Sequence, residues 1–530
     1  MREKCTRTFS IAWLALWYLA ACVFVAKYAS NFIDADMSSE LVLAKLLADE
    51  GSIISKNWFY STELRVLNTQ LVFMPLFLLF DNWHIVRALG TAILLAILAA
   101  SSIYCARGMK LSWNISLICA GVLLMPISES YAYAVLKGAY YIPHICISFF
   151  LFGIYCRYVE SDSIKGRRVK LIAALLLAFV SGLGGIRQIF VFTFPAALAE
   201  AMLYCASAMQ LSFGRCSGDG DAKTKGKRLC IVSALSLITS GVGFIINKSV
   251  LSKIYSFSDY AMDYHGKAVL FSGFKFSGIE FFIKSICGFF GFKSGAVFSG
   301  FLLYNILFVI LIAVCVLSIK FVLGKADNKF VHKAVACFVL AGTAIFAFLY
   351  GFTDIERVER YSAPIFVFAV FVVGSALENL KVNKKLKIYA STIVLTLLTV
   401  CNLNTYRQDS SNDRNAYSKD IVEVIERENV HEGYSSFWSG NLITELSNGD
   451  IEMRLIGRDY IIERGDMACV YNWLQEKSHV DTIPEGRFFL MLSKVEYDAC
   501  ELTRTPDYTN PAYALYFFDN YEDFTALYST

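Results

Sequence analysis

The chain has 530 residues, 56% of them apolar, and 49 basic against 45 acidic side chains give it a net charge of +4. A mean hydropathy of +0.50 over that length excludes an ordinary soluble protein, while the net charge says little by itself; the partners expected are membrane and lipid, with no nucleic acid. The runs of Leu, Ile, Val, Phe and Ala are long enough to cross a bilayer as helices, about 20 residues each, and lack the alternation of a transmembrane barrel. The sequence therefore predicts an α-helical polytopic membrane protein.

The first predicted span covers about residues 10–30, and its basic leader, Arg2, Lys4 and Arg7, places the N-terminus in the cytoplasm. No small-residue cleavage site follows, so this helix is expected to be retained. An outer loop over 31–83 comes next. Within it, Ser38 to Glu50 is helical in pattern, too short and too charged to span, and ends at Gly51, which reads as an interfacial helix. The run 69–81, broken by Pro75, reads as a second surface or half-inserted element, and 84–105 as the second span.

Further spans are predicted at about 112–130, 141–158, 169–186, 188–209, 229–249, 297–320, 334–351, 362–379 and 388–403, making about 11 transmembrane helices. Basic loops, such as Arg157 to Lys170, Arg215 to Arg228 and Lys381 to Lys387, fall on the cytoplasmic side. Residues 131–140, the turn at Arg187, 250–296 and 352–361 then fall outside, as does the C-terminus. From about 404 the composition turns polar, with helical patterns at Ala416 to Glu428 and 468–476 and a strand-like run from Arg487 to Leu492. The expected organisation is a membrane domain over 1–403 and a small C-terminal extracytoplasmic α/β domain over 404–530. The fifteen cysteines form no CxxC pair. Most lie in apolar runs, and Cys469 and Cys500 are the two available for a disulfide in the polar region.

Three groups of residues can carry chemistry. Asp34 and Asp36 lie just outside the first span, where an extended backbone points both carboxylates the same way. Either serves as a general base on an acceptor hydroxyl, or the two bind a divalent cation; the plainer alternative is a helix cap at Asp36 or Ser38 beside a solvated Asp34. Gly182-Leu183-Gly184-Gly185-Ile186-Arg187-Gln188 is a glycine-rich outer turn whose arginine either forks onto phosphate oxygens or snorkels from a helix end. Thr353-Asp354-Ile355-Glu356-Arg357-Val358-Glu359-Arg360-Tyr361 packs five charges into a short outer loop. If it is helical, Arg357 and Arg360 share a face and make a cationic site at headgroup depth; otherwise it is an exposed ion-pair lattice. Glu200 falls inside an apolar run and must face the bundle, a cavity or the inner membrane end. His144, Lys137, His265 and Lys267 have no metal-ligand spacing. No nucleotide-binding or hydrolase motif is present, so a cytoplasmic nucleotide donor is not indicated.

These features together resemble the GT-C superfamily of membrane glycosyltransferases, the group that includes protein O-mannosyltransferases and lipid A aminoarabinose transferases. The acids after helix 1 followed by a large outer loop are similar to that family's catalytic loop. Phe80-Asp81-Asn82-Trp83-His84-Ile85-Val86-Arg87-Ala88-Leu89-Gly90 resembles its approach to the second helix, and Arg360-Tyr361-Ser362-Ala363-Pro364 its late RY-x-x-P. The mannosyltransferase H-x-P-P is replaced by Leu67 to Pro75. The resemblance implies an inverting transfer of sugar from a polyprenyl-phosphate-linked donor to a lipid, polysaccharide or protein acceptor on the extracytoplasmic side of the cell membrane. It implies Asp34 and Asp36 as catalytic residues, Arg187, Arg357, Arg360 and Tyr361 on the donor phosphate, and Glu63 and Arg65 shaping the acceptor side. A divalent cation at Asp34 and Asp36 is the one cofactor for which residues are at hand. The rival is a transporter or flippase for a lipid-linked sugar, in which the same charges bind without reacting; the paired repeats that such a protein favours are not visible.

Overall fold

The computed structural model describes residues 2–62, 64–209, 211, 222–257, 271–294, 302–325, 328–464, 470–500 and 502–527. In chain order its main elements begin with α1 (Arg2–Tyr28), α2 (Ala35–Glu50), β1 (Trp58–Tyr60), α3 (Gln70–Phe77), α4 (Trp83–Gly108) and α5 (Trp113–Val122). There follow α6 (Ile142–Val159), α7 (Ile164–Gly184), α8 (Phe194–Ala208), α9 (Ala222–Ser249), β2 (Ser256–Phe257), α10 (Phe276–Phe289), α11 (Leu302–Gly324) and α12 (Phe330–Phe352). The last part holds α13 (Ala369–Asn379), α14 (Lys384–Ser410), α15 (Ala416–Arg427), β3 (Glu432–Ser436), α16 (Phe437–Leu446), β4 (Glu452–Ile456), β5 (Gln475–Glu476), β6 (Phe488–Ser493), β7 (Tyr508–Thr509) and β8 (Tyr513–Phe518).

Among the described residues, nine helices are long and apolar enough to cross a membrane, which makes this a multi-pass membrane protein. They match nine of the predicted spans. Of the other two, 169–186 is met by α7, a 21-residue helix whose first two turns carry Lys165, Arg167, Arg168 and Lys170, whereas 112–130 is met only by α5, ten residues long. The run around Pro75 forms only the eight-residue α3; at 1.5 Å per residue it reaches about 12 Å, less than half a hydrocarbon core.

The chain divides into two compact units. One comprises residues 1–21, 94–249 and 261–407, the other 22–93, 250–260 and 408–530. In the first, α7 and α9 lie backbone to backbone. A Cβ on Gly182 would stand 2.1 Å from the Ser240 carbonyl and one on Gly243 2.3 Å from that of Phe179, so glycine permits the close crossing common in membrane bundles. Phe149, Phe152, Phe192, Phe338 and Phe368 interlock at the centre, with Phe338 and Phe368 4.6 Å apart. Glu200 is buried inside this bundle rather than facing lipid. The expected loop at 131–140 is instead largely helical, ending in a π turn over Ala132–Lys137.

The second unit is built on a five-stranded mixed sheet of order β4-β3-β6-β8-β7. Strands β4, β3 and β6 run parallel, with α16 as the crossover between β3 and β4, and β8 turns antiparallel to β6. Both faces are covered. Alternation along β6 sends Phe488, Leu490 and Leu492 to one core and Phe489 and Met491 to the other. The expected helix at 468–476 does not form over its described part: Val470 bridges Ile456, and Gln475–Glu476 is strand. That strand pairs with β1, which pairs in turn with β2, so three distant segments make one small sheet. Helix α2 is buried against α3 and α16 through Met37, Leu41, Leu43 and Leu47.

Candidate functional site

The glycine-rich turn after α7 ends the helix sharply. Gly185 sits at φ +146°, where a side chain is strained. Two residues on, Arg187 lies with its guanidinium carbon 5.3 Å from the ring centre of Tyr141 and 5.4 Å from that of Tyr361. Gln188 is held by a hydrogen bond from its amide to Ser148 Oγ, 2.9 Å away, and a π turn over Ile189–Thr193 carries the chain into α8. Rings continue the cluster: Tyr141 meets Tyr140 at 5.4 Å and His144 at 5.9 Å, and Tyr140 meets Tyr133 at 6.0 Å. The turn before Tyr140 is strained as well, with Ala139 at φ +60°. Each arginine–tyrosine stack contributes about 0.5–2 kcal/mol, the more so away from water. A guanidinium carries forked N–H donors along its edge, a geometry that matches two oxygens of a carboxylate or a phosphate.

The charged loop is mostly extended. Only Glu359–Ser362 coils, as a 3-10 turn, so Arg357 and Arg360 do not share a helical face. Arg357 Nη1 donates to Ser277 Oγ at 3.1 Å. Asp354 pairs with Lys275, whose hydrogen bond holds the Asp354 carboxyl below the usual aspartate range. Tyr361 donates to Glu356 at 3.3 Å, and Arg360 is half-buried in the coiled turn. Of the predicted donor-side residues, the structure thus brings Arg187 and Tyr361 together and gives Arg357 another partner.

In the second unit, Asp34 is the N-cap of α2: its Oδ1 accepts the Met37 N–H at 2.9 Å. Asp36 lies in the first turn, where the helix dipole favours an acid. Glu40, one turn on, is buried and binds two groups at once, pairing with Arg65 through Oε1 and accepting the Thr69 hydroxyl on Oε2. Arg65 is therefore engaged by Glu40, and Glu63 lies outside the described residues. So do Cys469, His265 and Lys267; Cys500 is a free thiol. No group of three or more His, Cys, Asp or Glu side chains among the described residues is placed to hold a metal ion. Asp34 Oδ1 is the oxygen that caps α2.

Arg87, in the motif leading into α4, donates from Nε and Nη2 to the two carboxylate oxygens of Glu445 at 2.5 and 2.6 Å, and from Nη2 to Met37 O at 2.9 Å. Sequence reasoning did not single out Tyr141, Thr69 or Glu445 as functional or structural partners. Tyr140-Tyr141 before Pro143 is an interfacial aromatic pair, and that was the one available signal.

No protein-family model matches the chain, and no curated protein matches it by sequence. Solved structures do match. ArnT from Cupriavidus metallidurans in the apo state is similar at a TM-score of 0.56 with 12% identity, covering 96% of this chain and 98% of that one. The same protein bound to undecaprenyl phosphate gives 0.55, 11%, 96% and 98%. The archaeal oligosaccharyltransferase AglB from Archaeoglobus fulgidus, in complex with an inhibitory peptide and a dolichol-phosphate, gives 0.45, 10%, 90% and 69%. The nine apolar helices among the described residues and the near-complete two-way coverage agree on one architecture: the chain has the fold seen in ArnT.

Proposed function

We propose that the chain is a glycosyltransferase that takes a sugar from a polyprenyl-phosphate donor and delivers it to an acceptor hydroxyl on the extracytoplasmic side, with its N-terminus in the cytoplasm. The observation that carries the reading is Arg187 stacked between Tyr141 and Tyr361, in a chain whose fold matches a protein seen with undecaprenyl phosphate bound. A cation fixed between two rings at a strained turn is suited to an anionic lipid headgroup. It binds the donor phosphate and, as the bond to the sugar breaks, stabilises the charge gathering on the departing phosphate.

Transfer needs one bond made and one broken. The acceptor oxygen attacks the anomeric carbon from the face opposite the phosphate, the phosphate leaves with the bonding electrons, and the hydroxyl proton passes to a carboxylate. We assign that carboxylate to Asp34, with Asp36 beside it. One oxygen of Asp34 caps α2, which fixes the direction of the carboxyl group. Arg360 and Arg357 add positive potential to the loop that carries Tyr361, and Arg65, oriented by Glu40, borders the acceptor side. No step is routed through a metal ion.

The test is made on the full chain in nanodiscs. Polyprenyl phosphate should raise the melting temperature of the wild type and not of Arg187→Ala. A polyprenyl-phosphate sugar incubated with envelope extract should yield free polyprenyl phosphate, and Asp34→Asn should abolish that release while keeping lipid binding. Absence of lipid-phosphate binding by the wild type sinks the proposal. Binding with movement of intact donor across the bilayer, and no release, establishes the transporter instead.

A further inference from the structure

Helix α10 presents three distinct stripes. Gly278, Phe282 and Ser285 are buried. Ser277, Glu280 and Lys284 form a polar stripe, with Glu280 and Lys284 ion-paired at 2.6 Å. Between them runs a third stripe of Phe276, Ile279, Ile283 and Ile286, where Phe276 is 72% and Ile283 55% exposed. One helical face therefore packs on protein, one is dressed for water, and the third is apolar, with Phe276 and Ile283 left exposed by the described residues and Ile279 leaning on Gly351.

The buried stripe lies tight on the end of α12. A Cβ on Gly278 would stand 1.7 Å from the Tyr350 carbonyl, the Lys275 N–H donates to Gly351 O at 2.7 Å, and the Ser272 N–H to Phe352 O at 2.9 Å. The apolar stripe is continuous with the outer face of that span. Leu340 and Phe348 on α12 are 45% and 49% exposed, as the lipid-facing side of a membrane helix must be. Phe348 stacks on Phe352 at 5.3 Å, and Phe352 meets Phe271 at 6.0 Å and Phe274 at 5.5 Å. Phenylalanine rings thus lead from the lipid face of α12 to Phe271 and Phe274, 71% and 62% exposed, in the segment that enters α10.

We infer that α10 is a membrane-surface anchor: its Phe276–Ile286 stripe enters the headgroup boundary of the bilayer that α12 spans, and its Glu280–Lys284 stripe faces water. The occupant of the apolar stripe is lipid because lipid is what already meets the surface it continues. The anchor has a target. Lys275 pairs with Asp354 and Ser277 accepts from Arg357, so the depth at which α10 settles sets the depth of the loop that carries Arg357, Arg360 and Tyr361.

The inference is independent of the glycosyltransferase reading, because its test is read on the idle protein. Single cysteines replace Ile283, Ile286, Glu280 and Lys284 in a thiol-free background, carry an environment-sensitive fluorophore, and are placed in phosphatidylcholine–phosphatidylglycerol nanodiscs. Positions 283 and 286 should be quenched by lipids spin-labelled near the headgroup, and 280 and 284 by aqueous iodide, with at least a threefold difference in preference. Equal quenching of all four by iodide overturns the inference. Shielding of all four from both quenchers, as a second copy or another protein on this face gives, also overturns it. On the unmodified chain, a phospholipid carrying a photoreactive group near its glycerol should label the peptide containing 276–289; labelling confined to the spanning helices overturns it independently of any variant.

Discussion

Arg87 and Glu445 are 358 residues apart in sequence and form a two-pronged ion pair, with both side chains withdrawn from solvent. The pair joins the start of α4 to α16, and Arg87 also donates to the Met37 carbonyl inside α2. Desolvating two charges offsets most of their attraction, so the pair specifies which elements meet more than it adds net stability. Glu445→Ala should destabilise the protein by about 3–5 kcal/mol, because it strands a buried guanidinium. The double variant Arg87→Met, Glu445→Leu should recover most of that loss. Thermal unfolding of the purified protein, followed by tryptophan emission, checks both; equal loss in single and double variants rejects this account.

Asp34 offers a clean separation of structure from chemistry. Asparagine caps helices about as well as aspartate, whereas alanine costs about 1 kcal/mol. Asp34→Asn should therefore melt like the wild type yet lose turnover, and Asp34→Ala should lose both. An Asp34→Asn protein with undiminished transfer removes Asp34 from the chemistry and leaves it as a cap.

Arg187 should not tolerate lysine. A lysine retains the charge but neither stacks between Tyr141 and Tyr361 nor presents a fork. Arg187→Lys is expected to lower kcat/KM for the lipid-linked donor by roughly 10²-fold, with Tyr361→Phe closer to wild type because the ring remains. Steady-state kinetics on the three proteins give the ranking.

Acid should weaken one contact in the second unit selectively. A hydrogen bond from His479, 2.6 Å away, holds the Glu452 carboxyl below the usual glutamate range. A lowered folded-state pKa contributes stability that is present above the unfolded value, about 4.3, and lost as pH falls through the folded one. Glu452 is largely solvent-exposed, so the contribution is small, on the order of 1 kcal/mol. His479→Gln should be less stable than the wild type at pH 7, and the gap should narrow as the pH is taken below about 4. Unfolding curves across that range are the check.

The spans were legible in the sequence because lipid imposes a local rule: about twenty apolar residues, judged without knowing their neighbours. The strand at Phe488–Ser493 and the helix at Ala416–Arg427 announced themselves for the same reason, through their own periodicity. Arg187 stood out by its glycines. What was illegible is what depends on distant partners. Residues 470–476 read as helix and end in strand because Gln475 and Glu476 find Trp58 and Phe59. Glu40 fell within the helical pattern from Ser38 to Glu50, and only the fold shows it holding Arg65 and Thr69. Tyr141 carried no mark beyond its ring, since a stacking role is set by what comes to lie on it.

The small sheet formed by β1, β2 and β5 carries a consequence for biogenesis. Trp58 and Phe59 leave the ribosome early, but the strand that pairs with them at Glu476 and Gln475 follows only after some four hundred more residues, about 20–80 s at ordinary elongation rates. For that interval the nascent loop must be held open at the membrane surface with a strand edge and a buried tryptophan still uncovered. Quality control that monitors this protein will therefore meet an incomplete sheet until residue 476 has been made, and a nonsense mutation anywhere before codon 475 leaves β1 with β2 on one edge and no strand on the other.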